Sequence, residues 1–105
     1  MRFVREFGIF GGVGWEAYDP SRLVRLAREQ LAEEPAIAEA LAKCSRSRRE
    51  SKAYVHFVDP SRPNEPGSDW QFDRNVFLTD PERGDLVLDV LKDGRIGGVE
   101  FLNRL

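Results

Sequence analysis

Between residues 20 and 45 the apolar positions recur every three or four residues, and from residue 53 onward they alternate. Those two periods separate a helical first half from a sheet-like second half. Asp19-Pro20 is a helix start, since Asp caps free N–H groups and Pro at the first helical position loses no needed hydrogen bond. Leu23, Leu26, Ala27 and Leu31 then line one face, with Arg22, Arg25, Arg28, Glu29 and Glu33 around the rest. Pro35 predicts a break or kink, followed by a second stripe of Ile37, Ala40, Leu41 and Cys44 that runs into a basic cluster. Ahead of the helices, Phe3 to Phe10 reads as a strand closed by Gly11-Gly12.

The second half predicts four strands. Ala53 to Val58 places Ala53, Val55 and Phe57 on one face and Tyr54, His56 and Val58 on the other. Asp59 to Asp69, with three prolines and a glycine, is a loop. Trp70, Phe72, Val76 and Leu78 share a phase that Arg74 interrupts, Thr79 to Gly84 turns the chain, and Asp85–Leu91 and Ile96–Leu102 close as a hairpin. A two-residue Asp93-Gly94 loop would pair Lys92 with Arg95, Leu91 with Ile96, Asp89 with Gly98 and Val87 with Glu100. Leu86, Leu88, Val90, Val99 and Phe101 then form the core face, and Asp89 and Glu100 become diagonal neighbours on the other. The fold class expected is α+β in a single domain spanning 1–105: a broken N-terminal helix pair over a four- or five-stranded, mainly antiparallel sheet.

Gly84-Asp85-Leu86-Val87-Leu88-Asp89, Asp93-Gly94-Arg95-Ile96 and Gly98-Val99-Glu100-Phe101-Leu102 together resemble the closing hairpin of the small bacterial domain-of-unknown-function family 2283. Ala53-Tyr54-Val55-His56-Phe57 resembles that family's opening strand. The resemblance covers the second half of the chain and implies a small antiparallel sheet with no established activity. It also implies an antitoxin or regulatory role, since some members accompany toxin-like or nuclease-like genes. Leu91 stands where the family has a second acidic or polar residue, which weakens the case for an acidic cation site.

Composition narrows the functional classes. The chain has 105 residues, 16 Lys plus Arg and 18 Asp plus Glu, and a net charge of −2. That length admits one core and excludes barrels and two-domain enzymes. Residues 1–52 hold ten cations against eight acids, and residues 53–105 six against ten, so the halves differ in sign. Lys43, Arg46, Arg48, Arg49 and Lys52 could meet phosphates or an acidic partner, but a solvated helix end is the expectation and nucleic acid is not an expected partner. No apolar run approaches the ~20 residues of a membrane span, and the charges within Met1–Phe7 break any signal-like stretch, so a cytoplasmic chain is expected. Cys44 is the only cysteine, which leaves no partner for an intrachain disulfide.

Candidate chemistry centres on Asp89 and Glu100, two carboxylates that could act as acid and base or hold a divalent cation, with His56 a further candidate whose partner the sequence does not show. Gly12-Val13-Gly14-Trp15-Glu16-Ala17 matches a dinucleotide pattern formally, but its helix opens too late to offer N–H groups to a pyrophosphate. The Asp89–Gly94 stretch lacks the ligands of an EF-hand, and one histidine without a Cys-x-x-Cys gives no zinc set. No catalytic residue, metal or cofactor is therefore assigned. Trp15, Trp70, Tyr54 and Phe72 could anchor a partner. The leading expectation is a non-enzymatic interaction module, such as a phage- or defence-related inhibitor or an antitoxin that masks a protein partner. Binding residues would come from Asp89, Glu100, His56, Trp15, Trp70, Arg46, Arg48 and Arg49, and exposed sheet edges make a homodimer an expectation too. The alternative is a small metal-dependent hydrolase or nucleotide-acting enzyme built on Asp89 and Glu100.

Overall fold

The computed structural model describes residues 14–105; the strand read at Phe3 to Phe10 lies outside them. The described chain runs β1 (Trp15–Ala17), α1 (Ser21–Gln30), α2 (Pro35–Ala42), β2 (Arg46–Arg49), β3 (Tyr54–His56), β4 (Phe72–Asp80), β5 (Gly84–Leu91) and β6 (Ile96–Phe101), with a last 3₁₀ turn at Leu102–Arg104. The six strands form one sheet in the order β1-β2-β3-β6-β5-β4, antiparallel at every junction. Two helices pack on one of its faces, so the α+β class holds with more strands than expected.

Local chemistry sets the helix ends. Helix α1 starts one residue later than expected: Pro20 is its N-cap, and the Pro20 carbonyl takes the first helical bond from Val24 at 2.9 Å, while Asp19, one residue earlier, accepts from the Ser21 N–H at 3.0 Å. The break expected at Pro35 is present as a turn between two separate helices, not as a kink within one. Pro35 occupies the first turn of α2, where its missing N–H costs nothing, after the chain turns through Leu31–Glu34. The second helix also stops short of the basic cluster: it ends at Ala42, and Arg46 to Arg49 extend as β2 between two strands. Charge periodicity alone could not show this, because the pairing partners come from distant segments.

The core face is the one the alternation selects. Leu23, Val24, Leu26 and Ala27 of α1 and Ile37, Ala38 and Leu41 of α2 bury against Val55, Val76, Leu78, Leu86, Leu88, Val90, Val99 and Phe101. Two bulges shift the rest. Asp73 is an extra residue in β4, since Phe72 pairs with Leu91 but Arg74 with Val90, and this turns Phe72 to the face opposite Val76 and Leu78. Trp70 and Phe72 accordingly belong to a second cluster with Val58, Leu91 and Tyr54.

The β5–β6 hairpin has the expected pairing of Asp89 with Gly98 and Val87 with Glu100, but the turn differs. Leu91 accepts from Gly94 N–H at 2.9 Å and donates to the Arg95 carbonyl at 2.9 Å, so three residues form the loop and Gly94 takes a φ of +92°. Ile96 pairs with Val90, not Leu91, and joins the core. Gly97, bulged out of the ladder, restores the register by one residue. The longer loop and the bulge cancel, which is why the pairing beyond them agrees with a two-residue turn.

Candidate interaction surface

The sheet face away from the helices gathers most of the residues singled out above. Alternation from the core positions puts Trp15 of β1, Arg46 and Arg48 of β2, Tyr54 and His56 of β3, Glu100 of β6, Asp89 and Val87 of β5 and Phe77 of β4 on it. Arg49 pairs with Val55 and falls on the opposite side, its guanidinium donating to the Ser51 and Lys52 carbonyls at 3.0 and 3.1 Å. It is a turn clamp.

Two adjacent glycines shape this face. A Cβ on Gly97 would lie 2.7 Å from the Trp70 ring, and one on Gly98 would lie 2.6 Å from the Tyr54 hydroxyl oxygen. Both aromatics therefore lie across β6 where side chains would otherwise stand. Tyr54 reaches over Gly98 and donates its hydroxyl to Asp89, whose other oxygen accepts from Asn75 at 2.6 Å. Burial, then the bond to Asp89 and the charges of Asp89, Glu50 and Glu100, push the Tyr54 hydroxyl well above the ordinary tyrosine range, so it stays a neutral donor.

His56 is 6% exposed, with its ring between Tyr54 at 4.6 Å and the edge of Trp70 at 5.7 Å. Its Nε2 meets the Glu50 carboxylate, and Nδ1 is buried without a partner. The ring is hydrogen-bonded but not exposed, because the chain leaving the Asp59–Asp69 loop returns Trp70 over it. Trp15 carries Arg48 above its ring at 5.3 Å, so that cation is already paired with an aromatic face.

Asp89 and Glu100 thus share a face, but Asp89 has a donor on each oxygen and His56 is directed to Glu50. Among the described residues no group of three His, Cys, Asp or Glu side chains is placed to hold a metal ion. Sequence reasoning missed Asn75, Glu50 and the most exposed apolar side chain of the face, Phe77, at 65%. Phe77 alternates with Val76 and Leu78, so its outward direction follows from theirs. Glu50 carries no comparable signal, because the turn that swings it to His56 depends on β2 pairing with β3.

The class so defined is a two-layer α+β domain: among the described residues, six antiparallel strands carry both helices on one face and a mixed aromatic and acidic surface on the other. No family model, curated protein or solved structure matches this chain. Among the described residues no helix is long and apolar enough to cross a membrane.

Proposed function

We propose that the protein is a non-enzymatic interaction module whose sheet face opposite α1 and α2 docks a protein partner, in the manner of an inhibitor or antitoxin. The observation that carries this reading is Phe77, a large aromatic 65% exposed on a regular strand, with Val87 as its cross-strand neighbour. An apolar side chain in that position costs solubility and returns nothing to the core. Asp85, Asp89 and Glu100 surround the pair on the same face. A partner that complements this surface presents an apolar contact rimmed by Lys or Arg. The likeness of the closing hairpin to domain-of-unknown-function family 2283 supports the same reading.

The test places a photo-crosslinking benzoyl-phenylalanine at position 77 in one sample and at Arg25, exposed on α1, in another, each in the native cell. One specific adduct from position 77 is expected. It should be lost when Asp85→Asn and Glu100→Gln are combined, while the purified variant keeps its melting temperature. Equal labelling from both positions, or none from either, would refute the reading.

A further inference from the structure

We propose that a cleft at one end of the sheet binds a small anion with an apolar body, an aromatic or branched carboxylate or phosphate ester. This does not rest on the docking face above. The cleft is an open recess of about 300 Å³ where three chain ends meet: the turn after α2, the end of β3 and the start of β6. That volume is at the small end of ligand sites and suits one compact ring system.

The backbone around the cleft is fixed. Lys43 and Cys44 donate to the Ala40 and Leu41 carbonyls at 3.2 and 3.0 Å, and Ser45 folds back to Lys43 at 3.0 Å. Opposite them, the bulged Gly97 carbonyl accepts from both Phe57 and Val58, at 2.7 and 3.1 Å. A cleft held by such bonds exists before a ligand arrives, so little ordering cost opposes binding.

Its lining is divided chemically. Cys44, Phe57 and Ile96 supply apolar surface, and Lys43, Arg46 and Arg95 supply charge of a single sign. None of the lining residues is acidic. Burial pushes the Cys44 thiol up to about 12, so it stays neutral and brings no competing negative charge. Arg95 is partly engaged: it meets Asp93 at 2.7 Å and the Asp69 carbonyl and carboxylate at 3.0 and 3.8 Å. Lys43 and Arg46 form no ion pair with another described residue, and they set the net sign of the rim. A neutral hydrocarbon gains only from the floor and a bare anion only from the rim. A ligand with both parts gains from each.

The experiment titrates ¹⁵N-labelled full-length protein at low salt with 2-naphthoate, 2-naphthyl phosphate, 2-naphthol and inorganic phosphate. Both naphthyl anions should move the amides of Cys44, Phe57 and Ile96 with sub-millimolar Kd, at least tenfold tighter than naphthol or phosphate. A tenfold preference between the two anions identifies the ester or the acid as the natural class, and equal binding supports the shared anion chemistry. Arg46→Gln and Lys43→Gln should each weaken the anions about threefold to tenfold without altering the spectrum elsewhere, and Arg25→Gln on α1 should change nothing. Binding of naphthol as tight as the anions, binding of phosphate as tight, shifts scattered over the surface, or no shift at millimolar ligand would each overturn the proposal.

Discussion

At Gly98 a methyl group would lie 2.6 Å from the Tyr54 hydroxyl oxygen and 2.7 Å from the Val55 carbonyl oxygen. The second contact is with backbone, which cannot swing aside as a flexible side chain could. Gly98→Ala should therefore cost about 1–3 kcal/mol and break the bond from Tyr54 to Asp89. Thermal unfolding would read the first effect, and ultraviolet titration of Tyr54 the second, as a hydroxyl that ionises more readily once it leaves the carboxylates. An unchanged titration would show that the tyrosine holds its position without the glycine. The same residue explains why the two expected acids do not stand alone. The alternation places Asp89 and Glu100 correctly on one face, but the absent side chain at Gly98 lets Tyr54 cross β6 and take one oxygen of Asp89.

At the scale of elements, β4 is a nine-residue strand at the sheet's edge among the described residues, long enough to template pairing with a second chain. One of its ends is blocked from the helix layer. The Gln30 amide at the end of α1 donates to the Thr79 carbonyl at 2.6 Å and accepts from the Thr79 N–H at 2.9 Å, occupying the two groups a neighbouring strand would use. The bulge at Asp73 and the Arg74–Glu34 ion pair interrupt the other end. Gln30→Ala should leave the fold intact and produce concentration-dependent self-association. Sedimentation velocity over a hundredfold concentration range checks this, and identical profiles for the variant and the parent would remove Gln30 from that role. The homodimer expected from exposed edges accordingly has an obstacle on this side of the sheet, one that strand prediction by itself does not reveal.

For the molecule as a whole, one buried ion pair ties the helix layer to the sheet. Asp80, at the end of β4 and 2% exposed, accepts from two nitrogens of Arg22 on α1, each at 2.6 Å, and from the backbone N–H of Glu82 and Arg83 at 2.9 and 3.3 Å. The Arg22 bonds outweigh burial and hold the Asp80 carboxyl well below the usual carboxylate range. A depressed folded value means the stabilisation is complete above the unfolded value near 4 and is lost as pH falls below it. Asp80→Asn keeps an acceptor for the turn but removes the charge. Because Arg22 is 26% exposed and can turn to water, the loss at neutral pH should be moderate, roughly 5–10 °C in melting temperature. The acid-side slope of stability should flatten in the variant. A variant as stable as the parent at pH 7, with the same acid transition, would show that the pair contributes nothing net.

The sequence by itself determined the helix–sheet division, the core face of the closing hairpin and the shared face of Asp89 and Glu100, because each follows from side-chain period along a continuous stretch. The helix start beside Asp19-Pro20 was equally local. Only the tertiary structure decided that Arg46 to Arg49 form a strand, that Trp70 covers His56, and that bulges at Asp73 and Gly97 turn Phe72 outward and Ile96 inward. Those outcomes depend on which distant backbone supplies the hydrogen bonds and on where a missing side chain leaves room. A period read along one segment carries no information about either.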